Sequence, residues 1–346
     1  MMATRILVPS GVLGLGFSHD ALERGIQHQP DAIAIDGGST DSGPFYLGTG
    51  QSKYADAVCR AEWRDLLIAR AKAKVPLIMG SCGTCGTDRQ VDAMFTMTCA
   101  LARELGQKIR IARLYSSQSP KRMASAFDAG YITPLVPAPP MDATAMQECS
   151  NIVALAGVEQ MIAALQTGAD VILAGRATDT AGIAALPIMR GEDVASAWHG
   201  AKIAECGAFC TDNPASGVVL LEVDDSGFTI VACGKDAQVS ARSVSAHMLY
   251  ENANPHILVE PGGRLQVEDA QYTERPDGSV RVTKARWQQD AQYCVKLEGA
   301  RCVGYQTSLL AIVRDGRYCA NIQAWLARLE AFLHDLIAPS AIDYML

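Results

Sequence analysis

Ala32-Ile33-Ala34-Ile35-Asp36-Gly37-Gly38-Ser39-Thr40-Asp41 decides how this chain is read. Four apolar residues run into a carboxylate and two glycines, the form of a strand that stops at a turn. The form returns in Val75-Pro76-Leu77-Ile78-Met79-Gly80-Ser81-Cys82-Gly83-Thr84-Cys85-Gly86 and in Val171-Ile172-Leu173-Ala174-Gly175-Arg176-Ala177-Thr178-Asp179. In a parallel sheet such turns gather on one edge, and ligands bind outside the carboxyl ends of the strands. A small anionic or carbonyl ligand is expected there.

Outward from these turns, the first half alternates strand and helix. Helical patterns cover 19–29, with Ala21, Leu22 and Ile26 on one face, then 55–74, 91–105, 120–129, 143–149 and 158–166. Further strands read at 6–9, 109–115 and 152–156, and a proline-rich turn holds Pro134, Pro137, Pro139 and Pro140. Alternation of this kind predicts an α/β domain over 1–192 with a parallel, doubly wound sheet; a closed barrel stays open as the alternative.

From about Asp193 the pattern changes. A helix at 194–208 precedes β-segments at 218–223 and 228–233, which flank Asp224-Asp225-Ser226-Gly227 as a hairpin. Segments 265–267 and 280–283 flank a turn at Pro276-Asp277-Gly278; a strand at 303–313 and a helix at 322–336 follow. These predict a second, α+β domain over 193–346. The final Asp343-Tyr344-Met345-Leu346 reads as the beginning of an apolar segment, so a missing C-terminal portion is expected.

The formal charge of −7 argues against nucleic-acid binding, which needs a concentrated basic surface. No apolar run is long enough to span a bilayer. Met1-Met2-Ala3-Thr4-Arg5 leads into a strand rather than a cleavable leader, which places the chain in the cytoplasm. The 11 cysteines are odd in number and scattered. Several, such as Cys59, Cys99, Cys233 and Cys302, sit among apolar residues, so most are read as core thiols and not as a disulfide framework.

Each turn offers chemistry and a plainer alternative. Asp36 and Asp41 can bind a divalent cation or share a proton, or they can cap their own turn; Ser39 and Thr40 lie between them. Cys82-Gly83-Thr84-Cys85 can be a redox dithiol, but zinc needs a second pair, and Cys206 and Cys210 lack the matching spacing. The favoured reading is an anion cradle in which the backbone amides of Gly80, Ser81, Gly83 and Gly86 bind ligand. Arg176 suits a carboxylate or phosphate, unless it pairs with Asp179. Ser10-Gly11-Val12-Leu13-Gly14-Leu15-Gly16 departs from the dinucleotide glycine spacing, which ranks NAD below a small acid.

The second half adds Glu205-Cys206-Gly207, with Cys206 as nucleophile or proton carrier. His247, among Ser243 and Ser245, is the general acid/base candidate. Its alternative is a histidine without chemical role, and His19, His28, His199, His256 and His334 read as surface or capping residues. Lys296 and Glu298 alternate along a strand and face one side, as ligand contacts or as a solvated ion pair.

Taken in order, Asp36 to Pro44, Gly80 to Gly86, Val171 to Asp179, Glu205 to Ala208, Ala246 to Glu251, Pro261-Gly262-Gly263 and Val295 to Gly299 resemble the acyclic terpene utilisation protein A (AtuA-like) family. Cys82 and Cys85 depart from its usual alanine, glycine or serine. The resemblance implies catabolism of terpenoid and related branched acids, at the level of a carboxylate or acyl-CoA. It carries over no catalytic roles.

The resulting expectation is an isomerase, hydratase or lyase. Arg176 and the Gly80–Gly86 loop bind an anionic group, with Ser39, Thr40, Lys296 and Glu298 alongside; Asp36, Asp179, Cys206 or His247 supply acid/base steps. The alternatives are a non-catalytic acyl- or carboxylate-binding subunit that needs a partner protein, and a metal-dependent hydrolase using Asp36 and Asp41. No cofactor or metal site is assigned, although a divalent metal or a CoA thioester is compatible with the turns. The expected partner is a small anionic molecule, with a homo-oligomer or a small partner subunit left open.

Overall fold

Alternate residues of the short apolar strands enter two different cores. Leu7, Ile33, Ile35, Leu77, Met79, Val171 and Leu173 pack in one, and Ile6, Val8, Ala32, Ala34, Ile78, Ile172 and Ala174 in the other. That period of two places a sheet between two apolar layers. The computed structural model describes residues 3–137, 140–250 and 252–337. Met1, Met2, Pro139, Glu251 and the Asp343–Leu346 segment lie outside the described residues.

In chain order the first elements are β1 (Thr4–Val8), α1 (His19–Gln27), β2 (Ala32–Asp36), α2 (Pro44–Thr49), α3 (Asp56–Ala73), β3 (Leu77–Gly80), α4 (Asp88–Glu104) and β4 (Ile111–Leu114). Next come β5 (Ser117–Gln118), α5 (Pro120–Asp128), α6 (Ala143–Gln147), β6 (Asn151–Ala154), α7 (Val158–Gln166), β7 (Val171–Ala174), α8 (Ala181–Met189) and α9 (Val194–Glu205). The later strands are β8 (Val219–Asp224), β9 (Gly227–Ala232), β10 (Ile257–Glu260), β11 (Gly263–Gln266), β12 (Gln271–Glu274), β13 (Val280–Thr283), β14 (Arg286–Gln289) and β15 (Leu297–Ala300). The later helices are α10 (Ala241–Ala246), α11 (Gly316–Ala320) and α12 (Ile322–Ile337).

The main sheet has nine strands in the order β12-β13-β9-β8-β1-β2-β3-β7-β4. It is open and mixed. Strands β1, β2, β3, β7 and β4 run parallel, whereas β8, β9, β13 and β12 add antiparallel. The wholly parallel expectation is therefore corrected to a mixed sheet. The hairpin β8–β9 docks by its own edge on β1, with Val8 opposite Val219. Strand β6, expected as another parallel unit, instead pairs antiparallel with β5 and β15 in a separate three-stranded sheet.

Helices α1, α3 and α4 supply one core through Leu22, Trp63, Leu66 and Leu101. Helices α7, α8 and α9 supply the other through Met161, Ile183 and Trp198. Ser18 starts α1 by accepting from the Ala21 amide at 3.3 Å, and Asp193 starts α9 by accepting from Ser196 at 2.7 Å. The boundary expected near Asp193 falls between α8 and α9, which pack on each other.

Compactness divides the chain into 1–302 and 303–346. In the second unit, 303–315 has no regular structure, correcting the strand expected at 303–313. Among the described residues no strand pairs with it, so its β-forming side chains have no ladder to join. Helix α11 is capped by Asp315, which accepts from the Arg317 amide at 2.8 Å, and Tyr318 meets Trp325 of α12 edge-on at 6.0 Å.

Two other readings change. Cys302, expected in the core, is exposed just beyond the end of β15. His199, expected at the surface, is wholly buried, because α9 is enclosed on every side by the sheet, β11 and β14. Burial holds its imidazole down at about 3.

Candidate functional site

The three glycine turns meet, as their positions at the carboxyl ends of β2, β3 and β7 require. Gly37 donates to the Gly80 carbonyl at 2.8 Å, and Arg176 donates through its amide to the Gly86 carbonyl at 2.9 Å. Gly86 sits at φ +62°, and a Cβ there would lie 2.2 Å from the Arg176 nitrogen, so a side chain would push the two turns apart. Of the amides expected to cradle an anion, those of Ser81 and Gly86 are already engaged, as are those of Cys82 and Thr84 between them. Ser81, Cys82, Thr84 and Gly86 donate to the carbonyls of Gly175, Ala174, Gly37 and Cys82 at 2.9–3.1 Å. Gly83, at φ +63°, packs against Gln90. The loop thereby ties the turns together.

Arg176 is the hub. It is 4% exposed, and its Nε donates to Glu298 Oε2 at 3.0 Å. Its Nη1 donates to Ser81 Oγ at 3.0 Å, the Ala177 carbonyl at 3.1 Å and Asp179 Oδ1 at 3.1 Å. Burial disfavours the charged guanidinium, but Asp179 and Glu298 more than offset this and raise its pKa. Glu298 also accepts from Thr40 Oγ1 at 2.7 Å and from Lys296 Nζ at 2.9 Å. Against its burial, Arg176 and Lys296 hold the Glu298 carboxyl at about 2. Lys296, just before β15, and Glu298 within it meet on one side, with the Glu298 side chain 9% exposed.

Thr40, Arg176, Lys296 and Glu298 form the polar end of a cavity of about 840 Å³. Ser39 and Asp41 also line it. Ser39 caps the turn that follows, accepting from the Asp41 amide at 3.4 Å. The other walls are largely apolar and include Leu47, Met123, Ile132, Leu135, Met146, Ile152, Val295 and Leu297. Arg301 also faces in and is paired with Glu148. The volume is ordinary for a small-molecule site.

Asp36, Asp179, Cys206 and His247 do not line that cavity. Asp36 is 8% exposed; its Oδ2 accepts from the Gly38 amide at 3.1 Å, and its buried Oδ1 has no partner. Burial, reinforced by the Asp179 charge and opposed by Arg176, pushes its carboxyl well above the usual carboxylate range. Asp41 is exposed, unlike Asp36, and no group of three metal-ligating side chains occurs among the described residues. Cys206 closes α9, and only the absence of a side chain on Gly11 leaves room for its Sγ. His247 follows α10, buried and stacked on Tyr250 with ring centroids 5.5 Å apart. Burial and the Lys202 ammonium hold its imidazole down at about 4. Cys82 is fully buried and its thiol pushed far up by burial, which opposes a reactive thiolate.

Several participants gave little sequence signal. Residues 131–135 and 140–141 of the cavity wall read only as a proline-rich connector. Lys202 forms a buried ion pair with Glu205, one turn along α9. Glu260, at the end of β10, accepts from Thr180 Oγ1 at 2.7 Å, and Thr180 is itself bonded to Thr178 at 3.1 Å. Burial pushes Glu260 up to about 7 against those hydroxyls, with Asp179 adding to the rise. The lysine three residues before Glu205 and the strand ending on Glu260 before Pro261-Gly262-Gly263 were the available hints.

Residues 51–339 match the acyclic terpene utilisation family protein AtuA. The chain belongs to this family. The match begins after β1, β2 and the Asp36 turn, and takes in Arg176, Lys202, His247, Glu260 and Glu298. The family links the chain to acyclic terpene utilisation. No curated protein sequence and no solved structure matches the chain. Among the described residues, no helix is long and apolar enough to cross a membrane.

Proposed function

We propose that the chain serves in the catabolism of acyclic terpenoid or related branched acids by holding a branched carboxylate, or its acyl-CoA thioester, in the cavity. One observation carries this reading: the apolar walls end on Thr40, Arg176, Glu298 and Lys296. Methyl-branched chains gain from apolar burial. Lys296 is half-exposed, and its ammonium has three donors, of which Glu298 takes one. A substrate carboxylate or thioester carbonyl takes another. Acid/base chemistry of isomerase, hydratase or lyase type is the enzyme form of this reading; Asp36 and Asp179 stand behind the cavity lining and bear on the bound group through the charge of Arg176.

A second reading is a non-catalytic acyl-binding subunit that works with a partner protein. It is favoured by the separation of Asp36, Asp179, Cys206 and His247 from the cavity lining. Calorimetric titration of the full chain with a methyl-branched acyclic terpenoid acid, and with its CoA thioester, tests the common core of both readings. Lys296→Met is expected to weaken binding about tenfold, as loss of one charge-assisted hydrogen bond does. Leu297→Trp, which fills the cavity, is expected to abolish it. Binding untouched by both variants, or no binding of either compound, would sink the proposal. Turnover of a bound compound separates the enzyme from the subunit.

A further inference from the structure

The charged side chains that line the cavity are Asp41, Arg176, Lys296, Glu298 and Arg301. Arg176, Lys296 and Glu298 form one paired group, and Asp41 follows Thr40, which bonds to Glu298. Arg301 stands apart from them. Strand β15 lies between it and Lys296, and the ladder to β6 runs that whole length. The Leu155 amide donates to the Lys296 carbonyl at 3.0 Å, and the Ser150 amide donates to the Ala300 carbonyl at 2.8 Å. Five extended steps set the two backbones about 16 Å apart.

Between these cations the strand lines the cavity with Leu297, Gly299 and Ala300, and β6 adds Ile152 opposite Gly299. That stretch suits hydrocarbon. The amides of a pantetheine arm laid along it would face apolar side chains, at the cost of their hydrogen bonds to water. The ion-pair partner of Arg301 lies outside the cavity: Glu148 lines a neighbouring pocket of about 200 Å³ with Asp142 and Thr144, which Arg301 also borders. Glu148 engages one Nη of Arg301, whereas a guanidinium has five N–H donors and can grip a second carboxylate. A ligand with a single anionic group on Lys296 leaves that cation unused.

We infer that the cavity takes an acyclic chain bearing a second carboxylate at its far end, a dicarboxylic acid or its half-thioester. One end, carboxylate or thioester carbonyl, sits on Lys296; the free carboxylate at the other end sits on Arg301, with hydrocarbon along β15. The inference rests on the cavity reading of the proposed function and narrows its substrate class. Arg301 thereby sets specificity for a doubly functionalised chain.

Calorimetric titration of the full chain at neutral pH with decanoic acid, decanedioic acid and decanoyl-CoA tests this. Decanedioic acid is expected to bind about tenfold more tightly than decanoic acid, the gain from one further charge-assisted contact. Arg301→Gln is expected to bring the diacid down to the level of the monoacid. The comparison of the two acids needs no variant and carries the test if Arg301→Gln does not fold. Decanoic acid bound, and lost in Leu297→Trp, with no gain for the diacid overturns this inference and leaves the cavity reading standing. Decanoyl-CoA weakened by Arg301→Gln while the diacid is untouched assigns Arg301 to the phosphates of CoA and also overturns it. No binding of any of the three overturns both.

Discussion

Replacing Glu298 by glutamine keeps the shape of the side chain at the polar end of the cavity and removes its charge. In the native chain Arg176 and Lys296 hold this carboxyl at about 2, against an ordinary value of 4.5. At about 1.36 kcal/mol for each pH unit, the difference corresponds to about 3 kcal/mol of stability at pH 7. The size agrees with the roughly 3–5 kcal/mol that follows removal of one partner from a buried ion pair. Because the native value is depressed, the contribution is complete above about 4.5 and is lost as the pH falls toward about 2. The same linkage leaves about 1.5 kcal/mol at pH 3. Urea unfolding of both proteins at pH 7, 4 and 3 reads this directly. A difference below about 1 kcal/mol at pH 7, or one that does not shrink with acid, would refute the idea that Arg176 and Lys296 hold a buried charge in place.

Two further outcomes follow. His199 is buried neutral at about 3, so the unfolded chain takes up its proton as the pH falls below its ordinary 6.5 while the native chain does not. His199→Leu is expected to remove about 2 kcal/mol of the stability lost between pH 7 and 5, seen by urea unfolding; an unchanged acid sensitivity would count against the burial. An aromatic disulfide reagent should titrate Cys294, Cys302 and Cys319 rapidly in the folded chain, and Cys59, Cys82, Cys85, Cys210 and Cys233 only after unfolding. Rapid reaction at Cys82 or Cys85 would revive the dithiol reading.

The parallel core was legible because each of its strands carries its own signals. Val171 to Ala174 is apolar throughout and ends at glycine, as a strand covered on both faces must. The hairpin around Asp224-Asp225-Ser226-Gly227 was legible for the same local reason. Its attachment to β1 was not, since edge pairing between β1 and β8 joins residues more than 200 apart and leaves no local mark. Segment 303–313 shows the converse: β-forming residues make no strand without a ladder to join. In the site, Arg176, Asp179, Thr40, Lys296 and Glu298 were visible as polar residues in turns or on one strand face. Glu260 was not, because an acidic residue ending a strand usually faces water, and only the fold sets its carboxylate against Thr180. His199 was hidden by the same blindness to tertiary enclosure.

The antiparallel join of β8 to β1 has a topological result. A parallel strand sends its exit to the carboxyl edge of a sheet, whereas an antiparallel neighbour sends its entrance there. The path from Cys206 to Val219 is thereby delivered to the same rim as Asp36 and Arg176, although it follows a helix and not a strand. Replacements at its exposed positions, Phe209, Asp212, Pro214 and Ala215, can alter the surroundings of the rim while the nine-stranded frame keeps its register. The architecture thus brings a stretch of chain that belongs to no strand up to the rim of the parallel strands.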